Sequence, residues 1–245
     1  MRDFSAETTA RVAFIRQVIS DAGAKGIVFA NSGGKDATLV GILCKMACEN
    51  TLGLILPCGV SRNYGDDKKH AQMVGEQFNI TQREVDLQAA RDAMVASLQQ
   101  SGMGDLESAE ANVSIAPRLR MIALYTVAVT EGRLVAGTGN RSEKHMGYFT
   151  KWGDGAFDFN PITDLTVTEI FAFLRHLKAP AEIIEKAPSA ALFEGQTDEG
   201  EMGITYASLD AFLTTGKTDE ADEAVIQRFH NASAHKRKNP ILFGD

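Results

Sequence analysis

The sequence is poor in several things, and each shortage excludes something. It holds three cysteines in 245 residues, at Cys44, Cys48 and Cys58. That is no disulfide framework, and none of them forms the C-x-x-C pair of a zinc site. All three are expected to be buried or inert thiols. Positive charge is also short, with 25 Lys and Arg against 32 Asp and Glu and a formal net charge of -7. The basic excess that marks a nucleic-acid surface is missing, so no nucleic-acid partner is expected. A local basic pocket for a small anion remains compatible with that balance. Long apolar runs are absent too. No stretch approaches the roughly 18 apolar residues of a membrane span, and residues 1–20 lack the apolar core of a signal peptide. No membrane partner is expected, and a reducing cytoplasm is the expected compartment. No internal repeat or clear linker divides the chain, so residues 1–245 are expected to form one domain.

What is present suits an ordinary globular core, with 44% hydrophobic and 23% charged residues. Phe14, Ile15, Val18 and Ile19 give an opening helical stripe that ends before Gly23. Short apolar runs at 26–30, 52–56, 83–87 and 134–136 read as strands. Helical periodicity lies between them, with Val40, Leu43, Cys44 and Ala47 as one face. A further helix is expected at 66–78, and another carries Leu119, Ile122, Ala123, Thr126 and Val127. This alternation implies an α/β fold, a parallel sheet with helices on both faces. From Thr166 onward the pattern is mostly helical, opened by a capping box from Thr166 to Glu169. The polar stretch 99–110 is expected to be a mobile loop. In such sheets ligands gather at the carboxyl ends of the strands.

One loop there stands out. Ser32-Gly33-Gly34-Lys35-Asp36 follows the first strand and opens a helix. Its glycines let backbone approach a ligand closely, and a helix start offers unpaired amides and a positive dipole end. Together these make an anion site. Asp36 cannot bind phosphate directly but can hold a Mg²⁺ that does. The Walker A pattern is absent. The bland alternative is a glycine turn capped by Ser32. Farther on, Pro117 reads as a first-turn helix residue, which would set Arg118 and Arg120 at the positive end of a helix. Cations there need an anion nearby. Phe149 and Trp152 are candidates for stacking on a base. His70, His145, His176 and His230 have no ligand spacing and are expected to be structural.

The loop resembles the SGGxD(S) loop of the N-type ATP pyrophosphatases. The stretch GTGNRSEKHMGYFTKWGDGAFDFNPITDL, from Gly137 to Leu165, resembles the signature of ammonia-dependent NAD synthetase more specifically. The stretches 187–210 and 235–238 resemble the same family's later segments. This resemblance implies a Rossmann-like, adenine nucleotide alpha hydrolase-like fold. It also implies a ligase that adenylates the carboxylate of deamido-NAD with ATP and displaces AMP with ammonia. The carry-over puts ATP on Ser32, Gly33, Gly34, Asp36, Thr138 and Ser189, and Lys35 inside the same loop is expected to join them. It puts deamido-NAD on Arg118, Lys151, Asp158, His235 and Lys236. Asp36 and Glu143 become the Mg²⁺ ligands, and with Lys151 the catalytic set. A homodimer is implied as well. A chain of this length has no room for a glutaminase domain, so free ammonia is the expected donor.

The chain departs from that family's pattern at several places. Ala37 stands where a serine is usual, Asn31 where an apolar residue is usual, and Val167 where a lysine faces ATP phosphate. Lys35 is not part of the pattern, and it is expected to supply a cation inside the loop. Two other readings follow from these departures. One is another ATP pyrophosphatase, amidating or tRNA-thiolating. The other is a divergent nucleotide-binding protein with little catalysis.

Overall fold

A computed structural model describes residues 2–103, 106, 109–186, 188–193, 195–240 and 243. The first half runs α1 (Phe4–Ala22), β1 (Gly26–Ala30), α2 (Lys35–Ala47), β2 (Thr51–Ile55), α3 (Ser61–Tyr64), α4 (Asp66–Gln77), β3 (Thr81–Glu84) and α5 (Gln88–Gln100). The second runs α6 (Ala109–Glu131), β4 (Arg133–Val135), α7 (Arg141–Met146), α8 (Val167–His176), α9 (Ala181–Glu185), α10 (Asp198–Met202), α11 (Tyr206–Thr215) and α12 (Glu220–Ala232). The four strands form a sheet in the order β3-β2-β1-β4, parallel throughout.

The sheet explains its own sequence. Ile27, Val28 and Phe29 of the inner strand β1 are all buried, as a strand covered on both faces requires. Ile27 and Phe29 face α1, α2, α8 and α9 through Ile15, Leu39, Leu43, Phe173 and Ile183. Val28, with Leu52 and Leu54, faces α6 through Ala116, Leu124 and Ala128. A third cluster is wholly helical and joins α7, α8, α11 and α12 through Met146, Val167, Leu209 and Ile226. The expected helical C-terminal part is therefore a layer of its own, set beside the sheet. Cys44 and Cys58 are buried and Cys48 is half-buried, all three as free thiols.

Three differences from the sequence reading have physical causes. The third strand begins at Thr81 rather than Arg83. It is an edge strand with mostly exposed side chains, so it lacks the apolar signal of its neighbours. Val85 and Leu87 have left the strand and join the cluster under α6. The stretch 99–110 is not a simple loop, since Gln99 and Gln100 complete α5 and α6 begins at Ala109; residues 104, 105, 107 and 108 lie outside the described residues.

The third difference concerns Pro117, which lies inside α6 rather than at its start. Arg118 and Arg120 are consequently mid-helix. An interior proline removes one helical hydrogen bond and clashes with the preceding turn, at about 3 kcal/mol. The acceptor left over is the carbonyl of Val113, four residues earlier. It accepts instead from the hydroxyl of Thr150 at 2.9 Å.

The outer face of α6 is left open. Ile122 is 53% and Val129 83% exposed, with exposed Thr126 between them at helical spacing. Among the described helices α6 alone is long and apolar enough to cross a membrane by length and composition. Its inner face, however, packs on the sheet.

Candidate active site

The carboxyl ends of β1, β2 and β4 open into a cavity of about 560 Å³, within the usual range for a small-molecule site. The loop after β1 forms one side. Gly33 has φ +68°, and a Cβ there would lie 2.3 Å from the Asp67 carbonyl oxygen. No other residue fits, because the turn is left-handed and α4 presses on it. Gly34 is the N-cap of α2, and no side chain caps that helix. The first-turn amides of α2 thus lack a side-chain acceptor and point toward a prospective anion. The Ser32 hydroxyl accepts from the Gly34 amide at 3.3 Å.

Two carboxylates meet across this loop. Glu143 sits in the first turn of α7, where its Oε2 accepts from the Asn140 amide at 3.1 Å and its own amide donates to Asn140 Oδ1 at 2.9 Å. This is a complete capping box. Fully buried Asn140 also donates its side-chain amide to Asp36 Oδ1 at 3.0 Å. One asparagine therefore sets both carboxylates. Burial, then the charge of Asp36, holds the Glu143 carboxyl well above the usual carboxylate range, against the pull of Lys35. Burial likewise lifts Asp198, again opposed by Lys35. The Tyr206 hydroxyl donates to Asp198 Oδ2 at 2.9 Å.

Lys35 lies among these acids. Its side chain is 6% exposed, and its ammonium is 2.8 Å from Asp36 Oδ2 and 5.5 Å from the centroid of the Tyr206 ring. Burial opposes its charge, but Asp36, Glu143 and Asp198 outweigh that and raise its proton affinity above that of an ordinary lysine.

Another wall of the cavity has the opposite sign. Buried Asp67 accepts from Arg62 Nε at 3.0 Å, Lys186 Nζ at 2.7 Å and Asn63 Nδ2 at 3.0 Å. Arg120 donates to Asn63 Oδ1 at 2.8 Å and to the Leu56 carbonyl at 3.1 Å. Three cations thus gather about one carboxylate, Arg62 and Lys186 by direct contact and Arg120 through Asn63.

Not all the residues expected from the sequence meet at the cavity. Ser32, Gly34, Lys35, Asp36, Thr138, Glu143, Ser189 and Lys236 line the cavity. Gly33 supports the loop from behind. The Ser189 hydroxyl also donates to the Gln196 carbonyl at 2.7 Å. Arg118, Lys151 and His235 gather at one lip outside the lining. There Arg118 donates to the Lys151 carbonyl at 3.2 Å, and the Lys151 ammonium donates to the His235 carbonyl at 2.7 Å. Lys236 bonds the Gly147 and Phe149 carbonyls, each at 2.9 Å. Asp158 stands apart. Its carboxylate accepts from the Val135 amide at 2.7 Å and the Tyr125 hydroxyl at 3.2 Å. His145 and His230 stack on each other at 4.3 Å between α7 and α12, a structural arrangement.

Sequence reasoning missed Asn140, Asp198, Tyr206 and the group around Asp67. Asn140 was findable, since Asn140-x-x-Glu143 is a capping-box pattern. The Asp67 group joins residues from α3, α4, α6 and the stretch before Pro188, and no local pattern announces it.

A parallel sheet whose first loop offers amides to a cavity, opposite paired carboxylates, is the arrangement of an adenine nucleotide alpha hydrolase-like fold. The profile described as NAD synthase matches residues 7–240, and the chain belongs to that family. It is a ligase that forms a C–N bond with ATP as co-substrate. It is 42% identical over 235 residues to the NH(3)-dependent NAD(+) synthetase of Carboxydothermus hydrogenoformans, covering 96% of this chain and 95% of that one. The enzyme of that name from Archaeoglobus fulgidus is also 42% identical, with 93% and 92% covered. Among solved structures, NMN synthetase from Francisella tularensis superposes with a TM-score of 0.92 at 34% identity over 99% of both chains. NH3-dependent NAD synthetase from Campylobacter jejuni gives 0.81 at 28% identity, again over 99% of both.

Proposed function

We propose that the chain amidates deamido-NAD with free ammonia, giving NAD, AMP and pyrophosphate. The nicotinate carboxylate attacks the α-phosphorus of ATP and pyrophosphate leaves. Ammonia then adds to the acyl carbon, AMP departs, and the nitrogen loses a proton. The observation that carries this reading is Asn140 joining Asp36 to Glu143 beside the uncapped start of α2.

Each residue has a stated part. Ser32, Gly33 and Gly34 with the α2 amides receive the phosphate chain, and Lys35, Thr138 and Ser189 complete the ATP contacts. Asp36 and Glu143 would hold Mg²⁺, which when bound withdraws charge from phosphate oxygens as a Lewis acid. The donor set suits it. Asp36 and Glu143 are both bonded to Asn140, burial first and the Asp36 charge second lift Glu143, and among the described residues no three His, Cys, Asp or Glu side chains form a closed cage. An open pair leaves room for phosphate oxygens and water, as magnesium requires. Arg118, Lys151 and His235 at the lip and Lys236 in the lining bind the dinucleotide, and Lys151 also serves the catalytic step. Asp158 contributes from the stretch between α7 and α8 that bonds the end of β4. The protein works in the cytoplasm as one domain and as a homodimer, whose interface is the open stripe of Ile122, Thr126 and Val129.

Purified protein supplied with deamido-NAD, ATP, Mg²⁺ and ammonium should form NAD in step with AMP and pyrophosphate. AMP release without NAD would overturn the reading. The TM-score of 0.92 to NMN synthetase favours a second reading, in which the acceptor is the corresponding mononucleotide. A parallel incubation with nicotinate mononucleotide decides by the ratio of kcat/KM for the two acceptors.

A further inference from the structure

Lys35 is in an improbable place for a lysine. It is the first residue of α2, where the helix dipole disfavours a cation, and its side chain is 6% exposed. Its partners explain why it stays. Asp36 pairs with it directly at 2.8 Å, and the asparagine that holds the other Asp36 oxygen, Asn140, also holds Glu143 through the capping box. Lys35 thus sits beside the two acids proposed to hold the metal.

Among the described residues its ion-pair partner is Asp36, at 2.8 Å, and its ammonium lies 5.5 Å from the centroid of the Tyr206 ring. A lysine is a compact charge on a long flexible stem with three donors. The oxygen it holds, Asp36 Oδ2, belongs to a carboxylate whose other oxygen is fixed by Asn140. Oδ2 is therefore the Asp36 oxygen available to a metal.

We infer that Lys35 is a resident counter-cation that occupies the Asp36–Glu143 pair in the free protein, and that it passes to the phosphate chain when metal and nucleotide enter. It is a positioning residue for the carboxylates before binding and a phosphate ligand afterwards. The second half of this inference rests on the proposed ATP chemistry; the first half does not.

The test separates the halves. Mn²⁺ alone is titrated into nucleotide-free protein, with free ion followed by its paramagnetic resonance. Lys35→Met and the more polar Lys35→Gln are compared with wild type, each checked for native helix content by circular dichroism. Removing the ammonium should tighten Mn²⁺ binding at least about tenfold, because a competing charge has left the same oxygens. Equal or weaker binding in both variants would overturn the inference. With Mg²⁺ and an ATP analogue carrying a methylene between the α and β phosphates, the same variants should bind at least about tenfold more weakly. Wild-type binding of the analogue is the control. Without it the nucleotide reading itself falls; with it, unchanged affinity in the variants overturns the role assigned to Lys35.

Discussion

The hydroxyl of Thr150 donates at 2.9 Å to the carbonyl of Val113, the acceptor that Pro117 leaves vacant inside α6. A helix defect is thereby made into a docking point for the loop that carries Lys151. Gly153 belongs to the same contact, since a Cβ there would approach the Cβ of Pro117 to 2.8 Å. Thr150→Val should destabilise the protein by about 1 kcal/mol, and Thr150→Ser should not. The cost should shrink in a Pro117→Ala background, where the substituted residue supplies the missing amide. A double-mutant cycle by urea unfolding measures that coupling.

Asn140 has two tasks that substitutions can separate. Asn140→Ala loses the cap of α7, at about 0.5–2 kcal/mol, and also frees Asp36. Asn140→Ser keeps a good cap but is too short to reach Asp36. Serine should restore the melting temperature while leaving kcat at least about tenfold low. Recovery of kcat along with stability would show that the contact to Asp36 is incidental.

Glu143 sets a pH dependence on the metal-free protein. Its folded proton affinity is raised, so the fold favours the protonated form. The ionised form brings a penalty that is absent below the ordinary glutamate value and grows as pH rises through the folded one. Glu143→Gln keeps the capping box and removes the charge. Its Tm should exceed that of wild type by about 2–4 °C at pH 8, the equivalent of about 1 kcal/mol at this length, and should match it near pH 4. Turnover should fall at least about a hundredfold.

His145 acts in the opposite sense. Burial, then the neighbouring His230, Arg237 and Arg141, depress it to about 4 from 6.5, and the fold favours the neutral ring. That stabilisation is fully present above pH 6.5 and is lost as pH falls toward 4. Thermal melts between pH 7.5 and 4.5 should show the decline. His145→Gln, which cannot titrate there, should flatten it.

Ile122 and Val129 test the assembly. Ile122→Glu with Val129→Glu places charge on the open stripe of α6; if the proposed homodimer forms there, sedimentation should report a dimer for wild type and a monomer for the variant.

The parts of this protein written in consecutive residues were legible. The inner strands are continuous apolar runs, and the capping box at Thr166 appears as expected. Ser32 to Asp36 form a strand-to-helix turn at the cavity. Legibility failed where meaning depends on a distant partner. Pro117 is a helix starter in isolation, but in the fold it lies inside α6, where distant Thr150 satisfies the carbonyl it leaves over. The edge strand β3 has little apolar signal because little of it is buried. Asp67 reads as a surface acid until Arg62 and Lys186 are brought to it. Lys35 could be noticed from sequence as out of place. That Glu143 and Asp198 act on it as well as Asp36 depends on α7 and α10, more than a hundred residues away in the chain.

The two walls of the cavity have a kinetic consequence. A nucleotide with a charged tail, approaching a slot whose sides differ in sign, is turned by the field before it touches either. Its orientation is then largely chosen during diffusion. Such turning works only over distances that dissolved ions leave unscreened, about 8 Å at physiological ionic strength. Added salt should accordingly slow capture while barely hastening release.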